Sequence, residues 1–208
     1  MILTALLVLQ AATPPDPPTG DELRHRNGRV PRSITAVRTE AAPRIDGRLD
    51  DGIWFRIEPQ GEFRRDVPSD GRPATQATDV RVAYDDDAIY LGVRLHDDRP
   101  DLVSRRLNRR DSFGQFNDVF FVMLDSYHDH RTQFVFGVTP AGERRDGVAS
   151  GDGLAQFDIG WDPVWEAATS IDSLGWVAEL RIPFSQLRFS PAERQVWGIQ
   201  FRRDIIRW

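Results

Sequence analysis

The sequence predicts an all-β protein: an antiparallel β-sandwich, jelly-roll-like, with one or two short helical turns. Three observations carry that prediction. TDVRVAY (78–84) puts Val80, Val82 and Tyr84 on one face and Arg81 and Ala83 on the other, the period-two pattern of a half-buried strand. AIYLGVRLH (88–96) alternates in the same way through Ile89, Leu91, Val93 and Leu95, and Asp85-Asp86-Asp87 between the two is a polar turn that closes a hairpin. Helical periodicity is nearly absent, while short apolar stretches recur between glycine- and aspartate-rich turns.

Taken in order, the chain opens with the apolar run Ile2 to Leu9, far too short for a membrane-spanning helix but as long as the hydrophobic region of a signal peptide. Gln10-Ala11-Ala12 offers small residues for cleavage, although no basic residue precedes the run. Residues 1–12 are therefore expected to be a signal peptide, and the protein is expected to be exported to the periplasm, the outer membrane or the extracellular space. Residues 13–32 begin with a proline-rich stretch and read as a flexible segment. Residues 33–208 are expected to form the sandwich. Leu49 to Arg56, around Trp54, and Pro183 to Leu187 are the short helical turns. Besides the hairpin, strands are expected at Asp118–Asp125, Thr132–Thr139, Val164–Ile171, Trp176–Ile182 and Val196–Arg203. After the last of these the sequence runs straight into Ile205-Ile206-Arg207-Trp208, and the domain is expected to be the N-terminal part of a longer protein. One strand departs from the alternating rule: Val119-Phe120-Phe121-Val122-Met123-Leu124 is apolar on both faces, so both must be covered. The opposite sheet is one cover; a loop, a sugar ring or a partner domain is the other.

Composition limits the chemistry. A chain of 208 residues with 40% hydrophobic content and six tryptophans can bury a substantial core. Trp54, Trp165, Trp176 and Trp197 lie in or beside inward-pointing patterns and are core candidates. The net charge of −5 arises from 27 basic and 32 acidic residues of interspersed sign, which leaves no nucleic-acid footprint. Every basic side chain is arginine, so Schiff-base chemistry and a phosphate-loop lysine are excluded. The lack of cysteine excludes disulfides, thiolate nucleophiles and cysteine zinc sites. No GxSxG, HExxH or glycine-rich phosphate loop occurs. Asp118, Asp158, Glu166 and Glu179 are available carboxylates, but no spacing singles out a hydrolytic pair, and Glu179 reads as facing solvent or pairing with the neighbours of Arg181. No catalytic residue is assigned.

Four segments carry a resemblance. PRIDGRLDDGIW (43–54), TDVRVAYDDDAIYLGVRLHDD (78–98), NDVFFVMLD (117–125) and GWVAELRIPFSQL (175–187) resemble, in that order, the signature segments of family 9 carbohydrate-binding modules. DSYHDHRTQFVFGVTPAGERRDG, WDPVWEAAT and WGIQFRRDI resemble a bacterial family of unknown function. Its members carry such a module at the N-terminus of a C-terminal region like an outer-membrane barrel. The resemblance implies a β-sandwich that binds polysaccharide or oligosaccharide. Any O-glycosyl hydrolase activity would reside elsewhere in a larger protein.

Family 9 modules stack a sugar between two tryptophans and anchor its hydroxyls with polar side chains. Here Phe113, Gly114, Gln115 and Phe116 stand where the first tryptophan would lie, Phe121 where a carboxylate would lie and Val135 where an arginine would lie. Gln133 keeps a polar group nearby. Phe113, Phe116 and Trp161 are then either a substitute platform for a sugar ring or plain packing. In the second reading Val119, Phe121, Met123 and Val135 form a hydrophobic docking patch for the chain's own C-terminal region or an outer-membrane partner. Asp85, Asp86, Asp87, Asp97 and Asp98, and Asp46 with Asp50 and Asp51, read first as turn formers; the resemblance adds structural calcium as an alternative role. No other cofactor is required. Finally, SYHDHR (126–131) reads as a hairpin tip, with Asp125, Asp129 and Arg131 bracing it and Arg131 within reach of Asp118. His128 and His130 alone do not make a zinc site.

Overall fold

The computed structural model describes residues 2–9, 33–66, 71–107, 110–111, 117–150, 156–191 and 195–207. Among the described residues there are twelve strands: β1 (Ile2–Leu9), β2 (Ser33–Thr35), β3 (Val37–Arg38), β4 (Thr78–Tyr84), β5 (Ala88–His96), β6 (Val119–Asp125), β7 (Thr132–Val138), β8 (Arg144–Ser150), β9 (Gln156–Asp158), β10 (Glu166–Asp172), β11 (Gly175–Pro183) and β12 (Gln195–Asp204). One sheet runs β2-β1-β12-β6-β7-β8-β9 and the other β10-β11-β5-β4-β3. The expected all-β sandwich is what the chain forms. Its pairings are antiparallel except for two short parallel ones, β1 with β2 and β3 with β4.

The core lies between the sheets. Alternation delivers Val80 and Val82 from β4, Ile89, Leu91, Val93 and Leu95 from β5, and Trp176, Ala178, Leu180 and Ile182 from β11. They meet Phe120, Val122, Leu124, Phe134, Phe136, Val138, Trp197, Ile199 and Phe201 from the larger sheet. Each buried aliphatic or aromatic side chain contributes about 1.5–3 kcal/mol. The four tryptophans assigned to cores are all 2% exposed or less.

Helix α1 (Gly52–Arg56) is shorter than the Leu49–Arg56 turn the sequence suggested. It lies outside the smaller sheet, where Ile53 and Trp54 pack on Ala83, Ala88 and Tyr90. That cover overturns the expectation for Glu179. Its side chain does point to the outer face of β11, but the segment around α1 closes over it and leaves it 0% exposed. The Glu179 carboxylate accepts from the backbone amides of Asp46, Gly47 and Arg48 at 3.0, 2.8 and 3.1 Å and from the Trp54 indole at 2.8 Å. Gly47 makes this cradle possible: its φ of +83° belongs to the left-handed region, and a Cβ there would meet the Thr169 backbone at 2.9 Å.

Residues 2–9, the hydrophobic stretch expected in a signal peptide, form β1 between β2 and β12. The strands β2, β3, β8 and β9 were not anticipated. In β8 the inward residue opposite Phe136 is Asp146, whose buried carboxylate accepts from the Trp165 indole and from Arg110 at 2.8 and 3.0 Å. A strand with a polar inner residue hides its periodicity.

Candidate binding face

The outer face of the larger sheet is laid out by its register. One row across it holds Gln200, Met123, Val135 and Gly147; the next holds Arg202, Phe121, Gly137 and Arg145. A third places Gln133, Ala149 and Phe157 on β7, β8 and β9. The face is therefore an apolar floor with polar groups at its margins.

The floor is closed. Val119, Phe121, Met123 and Val135, expected as a docking patch, do form one cluster, with Ala149, and Phe157 packs on it. They are only 2, 9, 5 and 2% exposed. The patch is thus covered within the chain instead of lying open. Two glycines explain how the rings fit. A Cβ on Gly137 would stand 2.4 Å from the Phe121 ring, and one on Gly147 would stand 2.5 Å from the Phe157 ring. Each ring occupies the space its facing glycine leaves.

The margins are wetter. Gln133, Phe157, Gln200, Arg202 and Asp204 are all half-buried. Arg202 donates to Asp204 at 2.7 Å. Deeper, Glu143 and Arg145 pair at 3.4 Å with side chains only 4% exposed, which lends the floor a compensated charge pair. Spread across the face from β12 to β9, half-exposed amides and a guanidinium can donate to and accept from hydroxyls, and the half-exposed ring can cover an apolar surface.

Of the four expected sugar-contacting residues, the structure describes Gln133 and Trp161. Phe113 and Phe116 lie outside the described residues. Trp161 sits on the opposite side of β7 from Gln133, its ring 5.0 and 5.5 Å from those of Phe134 and Phe136. It seals the core edge. Phe157, Gln200 and Arg202 are the residues that sequence reasoning missed. Phe157 stands on a three-residue strand that no periodicity announces. For Gln200 and Arg202, the alternation of WGIQFRRD held the signal, because both oppose the inward Ile199 and Phe201.

The aspartate-rich turns serve local bonding. Asp85 accepts from the amides of Asp87 and Ala88 at 2.8 and 2.9 Å and from the Tyr90 hydroxyl at 2.6 Å. Burial works to raise its pKa, but the Tyr90 hydroxyl and the two amides outweigh burial and lower it. Burial and Asp85 together push the Tyr90 phenol up to about 12. Asp86 pairs with Arg38 at 2.6 Å, and Asp46 accepts from the Arg48 amide. At the other end of β5, Asp98 accepts from Gln76. Asp97 is buried against Arg203 at 3.5 Å and also holds Arg207. β5 separates the two expected calcium sets, and among the described residues no group of three or more His, Cys, Asp or Glu is placed to hold a metal ion.

Asp118 does not meet Arg131, because it stands at the opposite end of β6 from the hairpin tip. It accepts from the Ile206 amide at 3.1 Å. Burial raises its pKa, and burial pushes the neighbouring Arg203 guanidinium down to about 10 against the pull of Asp97 and Asp118. The tip itself is braced as expected by Asp125 and Asp129. Asp125 accepts from the amides of Asp129 and His130, and Asp129 from those of Arg131 and Thr132. The bracing lets His128 and His130 adopt φ of 52° and 57°. The carboxylates weighed for hydrolysis are scattered: Glu166 pairs with Arg181 on the smaller sheet, Asp158 turns onto the Gly160 amide, and Glu179 is enclosed.

No family model matches the chain, and no curated protein matches it. Solved structures do. A family 9 carbohydrate-binding module from Caldicellulosiruptor kristjanssonii in complex with glucose is similar at 18% identity and a TM-score of 0.51, covering 80% of this chain and 84% of that one. The module of the same organism in complex with cellotriose gives 18% identity and 0.50 over 79% and 82%. A proposed carbohydrate-binding protein from Bacteroides uniformis gives 14% identity and 0.57 over 83% and 89%. The sandwich described above is the fold of these modules.

Proposed function

We propose that this chain, a sandwich with the fold of family 9 modules, is a non-catalytic carbohydrate-binding module of an exported bacterial protein. Its ligand is a polysaccharide or oligosaccharide, and any breakdown of that glycan falls to another part of a larger protein. The observation that carries the proposal is the likeness, over most of the chain, to modules solved with glucose and with cellotriose.

The margin of the outer face is where this chain would bind. Phe157 offers a half-exposed ring for the apolar face of a sugar. Gln133 lies two strands away in the same row, roughly 9–10 Å at the usual strand spacing, about the reach of a disaccharide. Gln200 and Arg202 supply further hydroxyl partners on β12. A buried hydroxyl left without a partner costs about 1–3 kcal/mol, so these polar groups decide affinity. Docking of a protein on Val119, Phe121, Met123 and Val135 would first require the covering groups to be lifted away.

Affinity electrophoresis in soluble β-glucans, followed by a broad glycan array, tests the proposal. The chain should be retarded by at least one glycan, and Phe157→Ala and Gln133→Ala should each weaken that retardation. Absence of binding across the whole array would overturn it.

A further inference from the structure

We propose that the gap between β2 and β12 is a strand-acceptor site for an extended segment with apolar residues at alternate positions. Ile2–Leu9 fills it here. All eight residues pair antiparallel with β12, from Ile2 opposite Arg202 to Leu9 opposite Gln195. Leu6, Leu7 and Val8 also pair in parallel with Ser33, Ile34 and Thr35. Ala5 and Leu7 are 3 and 0% exposed and belong to the main core, opposite Ile199 and Trp197. The site thus reads its occupant in two ways: a ladder of main-chain bonds, and pockets that admit alternate side chains. Those are the terms of recognition by strand addition.

Two further observations make the occupant separable from the site. Neither neighbour of β1 is joined to it by a tight turn: residues 10–32 intervene before β2, and β12 begins only at Gln195. Its place is held by register and burial, not by hairpin closure. A recess of about 370 Å³ also opens beside it, lined by Ala5, Ser33, Ile34, Gln60 and Glu62 among others, so the slot is not packed shut along its length. Removal of residues 1–12 as a leader would empty the site and bare the β12 edge, an open invitation to another strand. A partner segment with the pattern of Ile2–Leu9 would take the same register.

The test uses the full chain with a specific protease site placed within residues 13–20, folded and then cut. The released N-terminal fragment should stay with the body in gel filtration. A fluorescent peptide of residues 1–12 should exchange into its place with saturable anisotropy, and the same peptide carrying Leu7→Asp should bind on the order of tenfold weaker or worse, because the carboxylate would enter the core. If the body unfolds when the fragment leaves, added peptide should refold it. The proposal fails if the fragment departs and the body keeps its melting temperature and its slow amide exchange along β12. It fails equally if the fragment never exchanges, or if an unfolded body ignores excess peptide. In the uncut chain, Leu7→Asp should lower the melting temperature by several degrees, and an unchanged value would also overturn it.

Discussion

Replacing Glu179 by glutamine removes a charge and almost no volume, so it isolates the work of one carboxylate. The wild-type group satisfies three consecutive backbone amides and one indole. If the glutamine oxygen keeps the three amides, its NH₂ faces the Trp54 N–H, and an unsatisfied buried donor costs about 1–3 kcal/mol. The three retained bonds fall from charge-assisted to neutral strength, a loss of about 1 kcal/mol each. Against this, the carboxylate is itself disfavoured by burial, which raises its pKa over the pull of its donors; the variant recovers that desolvation cost, about 1–2 kcal/mol. The net expectation is a loss of about 2–5 kcal/mol, read from the urea midpoint at constant slope by tryptophan fluorescence. Amide exchange at Asp46, Gly47 and Arg48 should accelerate more than exchange in β5. A loss below about 0.5 kcal/mol, the size of an ordinary surface substitution, with unchanged exchange at Gly47, would refute the reasoning.

Three other outcomes are expected. Gly137→Val should force the Phe121 ring from its place and cost about 1–3 kcal/mol by thermal melt, as overpacking does. Arg203→Met should cost about 3–5 kcal/mol, because Asp97 and Asp118 would stay buried without that cation; a neutral result in urea titration would show that Arg207 alone suffices. The Asp85–Tyr90 pair should bracket stability on the pH scale. Asp85 is lowered from 3.8, so its contribution is present above that pH and lost as pH falls through the lowered folded value. Tyr90 is raised from 10.0 to about 12, so its contribution is present below pH 10 and lost as pH rises through about 12. Melting curves of Asp85→Asn and Tyr90→Phe should each lose one limb.

The strands that were legible in the sequence are those with one apolar and one polar side, or with two apolar sides. β4, β5 and β6 are of this kind, and β6 even announced that it needed two covers. β8 was not legible because its inward Asp146 is stabilised by Trp165 and Arg110, partners distant in sequence. Glu179 was placed on the correct face of β11 but given the wrong environment, since only the fold brings residues 43–57 over it. The candidate face suffered from the same limit. Gln133 could be chosen from its neighbourhood, while Phe157 depends on a three-residue strand that pairs with β8. Trp161 was the converse case: an aromatic beside a turn that turned inward, because Phe134 and Phe136 offer it more contact than solvent does.

The place of β12 in the larger sheet bears on how the protein is made. The last of the described strands is an interior strand, flanked by β1 and β6. During synthesis from the N-terminus, β6 therefore waits with one edge unpaired and two apolar faces until Gln195–Asp204 has emerged. Pairing across such sequence separation is slow, and unpaired apolar edges associate with one another. Until then the chain is most open to association through that edge of β6.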